Sequence, residues 1–145
     1  MAGAKATKET TFDAPIDKVW AVVSDYESYP EFVDGVSGIK ILDRTSGKVR
    51  VEYSLNMIKK LTYILNMEEV APNKLSWSFE KGDIFKVNAG SWELTDLGNG
   101  KTGVVYNVEV EVKGFFPGAG MIVKTLTEVN LPNMLKAYEA RAKNA

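Results

Sequence analysis

The chain has no cysteine and no histidine. The first absence removes disulfides, thiolate metal ligands and a cysteine nucleophile. The second removes the commonest general base and the commonest zinc ligand, and with them any Ser-His-Asp site. Neither sign of charge is in excess: 18 Lys and Arg against 19 Asp and Glu give a net charge of −1. A basic face is therefore not expected, and no nucleic-acid partner is assigned. An all-carboxylate metal site stays open, but no acidic cluster has EF-hand spacing, and no metal or other cofactor is assigned. No run approaches the ~20 apolar residues of a membrane span. The opening MAGAKATKETTF lacks the apolar core of a secretory leader. The expected location is the cytoplasm.

What is there is an ordinary globular composition, 45% hydrophobic and 26% charged over 145 residues, which fits one domain spanning 1–145. KATKETTF reads as a first strand. Asp13 and Pro15 form a helix entrance, the first as a cap and the second at the opening turn. In IDKVWAVVSD the residues Ile16, Val19, Trp20 and Val23 recur at helical spacing. Pro30 begins a second, short helix that Gly35 ends. The pattern then changes to period two. Six strand candidates follow from VSGIKILDR to TGVVYNVEVEVK, joined by short turns such as TSG, APNK and GNGK. In the last strand Val104, Tyr106, Val108, Val110 and Val112 share one face, and Asn107, Glu109, Glu111 and Lys113 the other. From Met121 to the end the chain reads as one long helix that Pro132 should kink. This order predicts an α+β architecture, a curved seven-stranded antiparallel sheet (β-α-α-β6-α) wrapped around a long C-terminal helix. Such a grip leaves space between sheet and helix, and apolar concave spaces with a few polar groups hold small ligands.

The stretch FDAPIDKVWAVVSDYESYPEF resembles the opening of the START-like (helix-grip, Bet v 1-like) superfamily. It is most similar to the polyketide cyclase/dehydrase and lipid-transport branch, which includes coenzyme Q-binding proteins. Phe12, Ala14, Pro15, Val19, Trp20, Asp25, Tyr29, Pro30 and Phe32 fit that pattern, and GSWELTDLGNGK carries its Gly-x-Trp-x-Leu before a Gly-rich turn. The resemblance implies that two short helices close one end of the grip, with Tyr26, Tyr29 and Phe32 bracing it against the sheet. These motifs specify a fold better than an activity.

The resemblance and the patterning together give three functional expectations. The leading one is binding or transport of a hydrophobic small molecule: a lipid, a quinone or isoprenoid, or an aromatic polyketide. The second is a cyclase or dehydrase, which needs a positioned acid or base, and no inward carboxylate is evident. The third is a protein-interaction module. The candidate cavity residues are Tyr53, Trp77, Asn88, Trp92, Tyr106, Phe115, Phe116, Ile122, Leu126 and Val129. Core packing is the better reading for any single strand aromatic. Trp92 and Tyr106 are the preferred pair. Asn88 shares parity with Trp92 and Leu94 and is the inward amide; Asn66 and Ser78 face water by alternation. Lys86 has the parity of Asn88 and sits at the strand end, either at a cavity mouth or in solvent. The loop GFFPGAG reads either as a gate, with Phe115 and Phe116 able to touch a membrane surface, or as a tight turn with one ring packed inward.

Overall fold

Alternating side chains over residues 36–112 build a meander, and its apolar face needs a cover. The computed structural model describes residues 3–56, 60–114 and 116–145. Its strands are β1 (Gly3–Phe12), β2 (Val36–Thr45), β3 (Lys48–Asn56), β4 (Lys60–Val70), β5 (Lys74–Gly82), β6 (Phe85–Gly98) and β7 (Lys101–Val112). They form one antiparallel sheet in the order β1-β7-β6-β5-β4-β3-β2, with β1 swinging back to pair with β7. Helix α1 (Ile16–Val23) and a 3-10 helix (Tyr26–Glu31) separate β1 from β2. Helices α2 (Ala119–Lys124) and α3 (Leu131–Lys143) follow β7. The expected α+β helix-grip architecture is what forms.

Burial follows the predicted alternation. On β7, Val104, Tyr106, Val108, Val110 and Val112 are all buried. On β3, Val49, Val51, Tyr53 and Leu55 are buried in the same way. The ladder between β5 and β6 runs only from Lys74↔Glu93 to Trp77↔Gly90. Beyond it β5 stays on β4 while β6 stays on β7, so the sheet parts and bends there. Gly90 permits this seam. A Cβ at residue 90 would overlap the Asn107 carbonyl oxygen and lie 2.5 Å from Cζ2 of Trp77, so only glycine lets the indole lie against β6.

Three local expectations need correction. Asp13 does not cap α1: Pro15 holds the cap position in extended geometry, and the Asp13 amide donates to Glu139 Oε2 at 2.8 Å. The second helix is 3-10 and starts at Tyr26, with Pro30 near its end instead of its beginning. The C-terminal segment is not one helix kinked at Pro132. It is α2, then a π turn at Thr125–Val129, then α3 with Pro132 in its first turn. Proline lacks the N–H that would continue the ladder, and the wider turn before it absorbs the misfit: Asn130 N–H reaches back five residues to the Thr125 carbonyl.

Candidate functional site

The sheet's concave face carries its largest rings, and each ring is placed by strand register. Tyr53 on β3 pairs with Tyr63 on β4, and their rings stack at 5.4 Å and 6°. Trp92 on β6 pairs with Tyr106 on β7, and those rings meet edge to face at 4.7 Å. Trp77 reaches Tyr106 from β5 at 5.7 Å. The Trp77 indole Nε1–H donates to Asn88 Oδ1 at 3.2 Å, across the seam where the two strands part. Asn88 is 7% exposed and is partnered by that bond, with the Tyr63 hydroxyl close enough for the amide to act on it.

The helices close the space from the other side. Helix α3 buries Leu131, Leu135, Tyr138 and Ala142 at helical spacing. Its Tyr138 packs on Trp92 at 4.7 Å and on Tyr29 at 5.5 Å. The Tyr29 hydroxyl donates to the Val23 carbonyl, and Tyr26 donates to Glu69 Oε2 at 2.5 Å. These bonds fix the 3-10 helix between α1, α3 and the sheet. Arg141 ties the same helix to α3, donating to Glu31 Oε1 at 2.7 Å with its guanidinium 5.1 Å from the centre of the Phe32 ring. The tyrosines of the 3-10 helix thus brace this end of the grip, while Tyr29 and Phe32 also face a hollow.

That hollow is a cavity of about 150 Å³ between sheet and α3. Of the candidate residues, Tyr53, Trp77, Asn88, Trp92, Tyr106 and Leu126 line it. Ile122 is buried in the core instead, and Phe116 packs against that core; neither lines the cavity. Val129 is 53% exposed, because the π turn rotates it outward while keeping Leu126 inward. Phe115 lies outside the described residues. Lys86 does not share the inward face with Asn88. A bulge between Phe85 and Val87 makes it the extra residue, and its amine lies 3.6 Å from Glu111 on the outer face. Ser78 is exposed, and Asn66 sits beside Glu80 on the outer side, as alternation predicts.

Sequence reasoning missed the rim. Phe32, Val33, Asp34 and Val36 line one side of it and Asn130, Asn133 and Met134 the other, so the opening lies between the start of β2 and the start of α3. The aromatic run at 26–32 was the signal for one side. Polar residues in the first turn of α3 gave none. Tyr63 and Tyr138 also line the cavity, and the apolar stripe of α3 pointed to the latter. Among the described lining residues the one charged side chain is Asp34, which is exposed.

Burial pushes the hydroxyls of all the lining tyrosines well above the ordinary phenol range, so they remain neutral donors at physiological pH. Among the described residues no cluster of acids suits a metal ion, and no helix is long and apolar enough to cross a membrane.

Comparison with known proteins fits this geometry. The toxin PasT of one Escherichia coli strain, named for persistence and stress resistance, is 28% identical over 131 residues, 88% of this chain and 79% of PasT. The ribosome association toxin RatA of another Escherichia coli strain is 27% identical over the same shares. A START superfamily protein from Mycobacterium smegmatis is 25% identical, with a TM-score of 0.83 and coverage of 97% of both chains. The Zhui aromatase/cyclase from Streptomyces superposes with a TM-score of 0.86 at 18% identity, covering 98% of this chain and 94% of that one, a likeness of fold. Residues 12–139 match the family described as polyketide cyclase / dehydrase and lipid transport, within the START-like superfamily, and the chain belongs to that family.

Proposed function

We propose that the protein binds and carries a hydrophobic small molecule in the cavity between its sheet and α3. The observation that carries this reading is an apolar, aromatic-walled hollow that retains polar groups, Asn88 and the tyrosine hydroxyls, facing inward. A core built only for stability would fill such space, because voids cost packing energy. At about 150 Å³ the hollow is of the order that holds a single small ring. Drug-sized ligands occupy ~300–1,000 Å³. A quinone, polyketide or lipid therefore enters by displacing the rim at 32–36 and 130–134. The cytoplasm and a bilayer surface are the places where such a carrier would meet its cargo.

A titration with the neutral dye N-phenyl-1-naphthylamine tests this. The wild-type chain should bind it at one saturable site, and Trp92→Ala or Asn88→Leu should weaken that binding. Absence of saturable binding, with no competition by lipids or quinones, overturns the carrier reading. Turnover of a bound aromatic ketone would favour a cyclase-type enzyme. Copurification of ribosomes, suggested by the printed name of RatA, would favour an interaction module.

A further inference from the structure

The next inference rests on the carrier reading and names the chemistry of its ligand. We propose that the cavity selects an uncharged, flat ligand carrying a hydrogen-bond acceptor, with the Tyr53 and Tyr106 hydroxyls as the donors that hold it.

No lysine or arginine is among the described lining residues, and the one ion there, Asp34 at the rim, is negative. A carboxylate entering this space would lose its water, gain no cation and pass an anion. Burying an unpaired charge is strongly unfavourable. An ionised fatty or aromatic acid is therefore rejected, while its neutral ketone, ester or quinone counterpart is not.

Most inward polar groups already have partners: Tyr29 donates to Val23, Trp77 to Asn88, and the Asn88 amide acts on the Tyr63 hydroxyl. The Tyr138 hydroxyl interacts with that of Tyr29. The hydroxyls of Tyr53 and Tyr106 make no hydrogen bond to a described residue. Every fully buried side-chain polar atom among the described residues has a partner. These two hydroxyls must therefore reach open space, and both residues line the cavity. A phenol O–H facing an apolar hollow is a donor in want of an acceptor. The walls around it are rings: Tyr53 stacked on Tyr63, and Trp92 and Trp77 on either side of Tyr106. Such walls favour a planar ligand.

Three matched naphthalenes separate these terms: acetylnaphthalene (neutral, with an acceptor), ethylnaphthalene (neutral, without one) and naphthoate (anionic). Affinities of the whole chain are read at neutral pH from quenching of tryptophan fluorescence. The ketone should bind about tenfold tighter than the hydrocarbon. Naphthoate should bind on the order of a hundredfold more weakly than the ketone. The double variant Tyr53→Phe with Tyr106→Phe, which conserves ring volume and whose fold is checked by circular dichroism, should bring the ketone-to-hydrocarbon ratio close to one. A second measurement needs no variant: wild-type affinity for naphthoate should rise as pH falls and the ligand becomes neutral. Naphthoate binding as tightly as the ketone, or a ratio unmoved in the double variant, overturns the inference and leaves the carrier reading intact. Failure of all three to bind overturns the carrier reading itself.

Discussion

The two faces of the sheet come from the same strands, residue by residue, and are chemically opposite. Where the inner face lines the hollow, Tyr106, Val108 and Val110 are buried among rings, and the buried polar groups are neutral. On the outer face Asn107 donates to Ser91 and Glu93, and Glu109 and Glu111 sit 3.7 Å and 3.6 Å from Lys5 and Lys86. Arg50 bridges β2, β3 and β5 there, with Nη1 2.7 Å from Asp43 Oδ2 and Nη2 2.7 Å from Glu80 Oε2. Charge holds strands together where water screens it. Around the hollow the chain uses hydroxyls, one amide and an indole N–H, and the inward Glu69 carboxylate, held by Tyr26 and 3.8 Å from Arg44, lies outside that lining. The buried walls of the hollow are free of charge, although the same inner face accommodates Glu69 and Arg44 elsewhere, so the lack of charge belongs to the hollow and not to the face as a whole.

The comparison can be broken by moving charge inward. Val110→Asp, at a position 1% exposed, places an unpaired carboxylate in the core, and the loss should exceed about 4 kcal/mol, enough to prevent folding in a denaturant titration. Trp92→Ala removes the ring that joins Tyr106 to Tyr138, and it should lower unfolding free energy by about 3–5 kcal/mol. Gly90→Ala drives a methyl into Trp77 and the β7 backbone. About 1–3 kcal/mol should be lost, together with dye affinity, as the indole is pushed from Asn88 toward the cavity.

Solution pH sharpens the contrast, because the faces respond at opposite ends of the scale. All six tyrosines are raised above their ordinary value of 10.0, with burial as the first cause. A raised folded value means that stability is fully present below pH 10.0 and is lost as pH rises above it, since the unfolded chain releases these protons first. Tyrosinate absorbance should therefore appear in one cooperative step, coincident with loss of far-ultraviolet ellipticity. On the outer face the Glu80 carboxyl lies below its ordinary 4.5, held down first by its hydrogen bonds to Arg50. That contribution is present above pH 4.5 and disappears as pH falls through the lowered value. Arg50→Ala should remove this acid-side dependence. Its effect on the denaturation midpoint at neutral pH should be the smallest of the set and should shrink with added salt, because the guanidinium is exposed.

The sheet was legible in the sequence because its signal is local. Alternation on β7 identifies its buried residues, and parity on β6 places Asn88 beside Trp92. Two misplacements have one cause, a backbone irregularity that shifts phase. The bulge at Lys86 turns a residue of inward parity outward, and the π turn does the same to Val129. Neither an extra residue in a strand nor a wide helical turn leaves a mark in a hydrophobic pattern that assumes a constant period. The rim was illegible for a different reason. Asp34 and Asn133 are distant in sequence and polar, and only the folded chain brings both to one opening.

The most direct measurement is native mass spectrometry of gently purified protein, followed by organic extraction. The account predicts a one-to-one adduct whose extracted component is uncharged, planar and acceptor-bearing, and which Trp92→Ala fails to retain. A bare chain that also binds no neutral aromatic probe would contradict it, and the inner face would then be core alone.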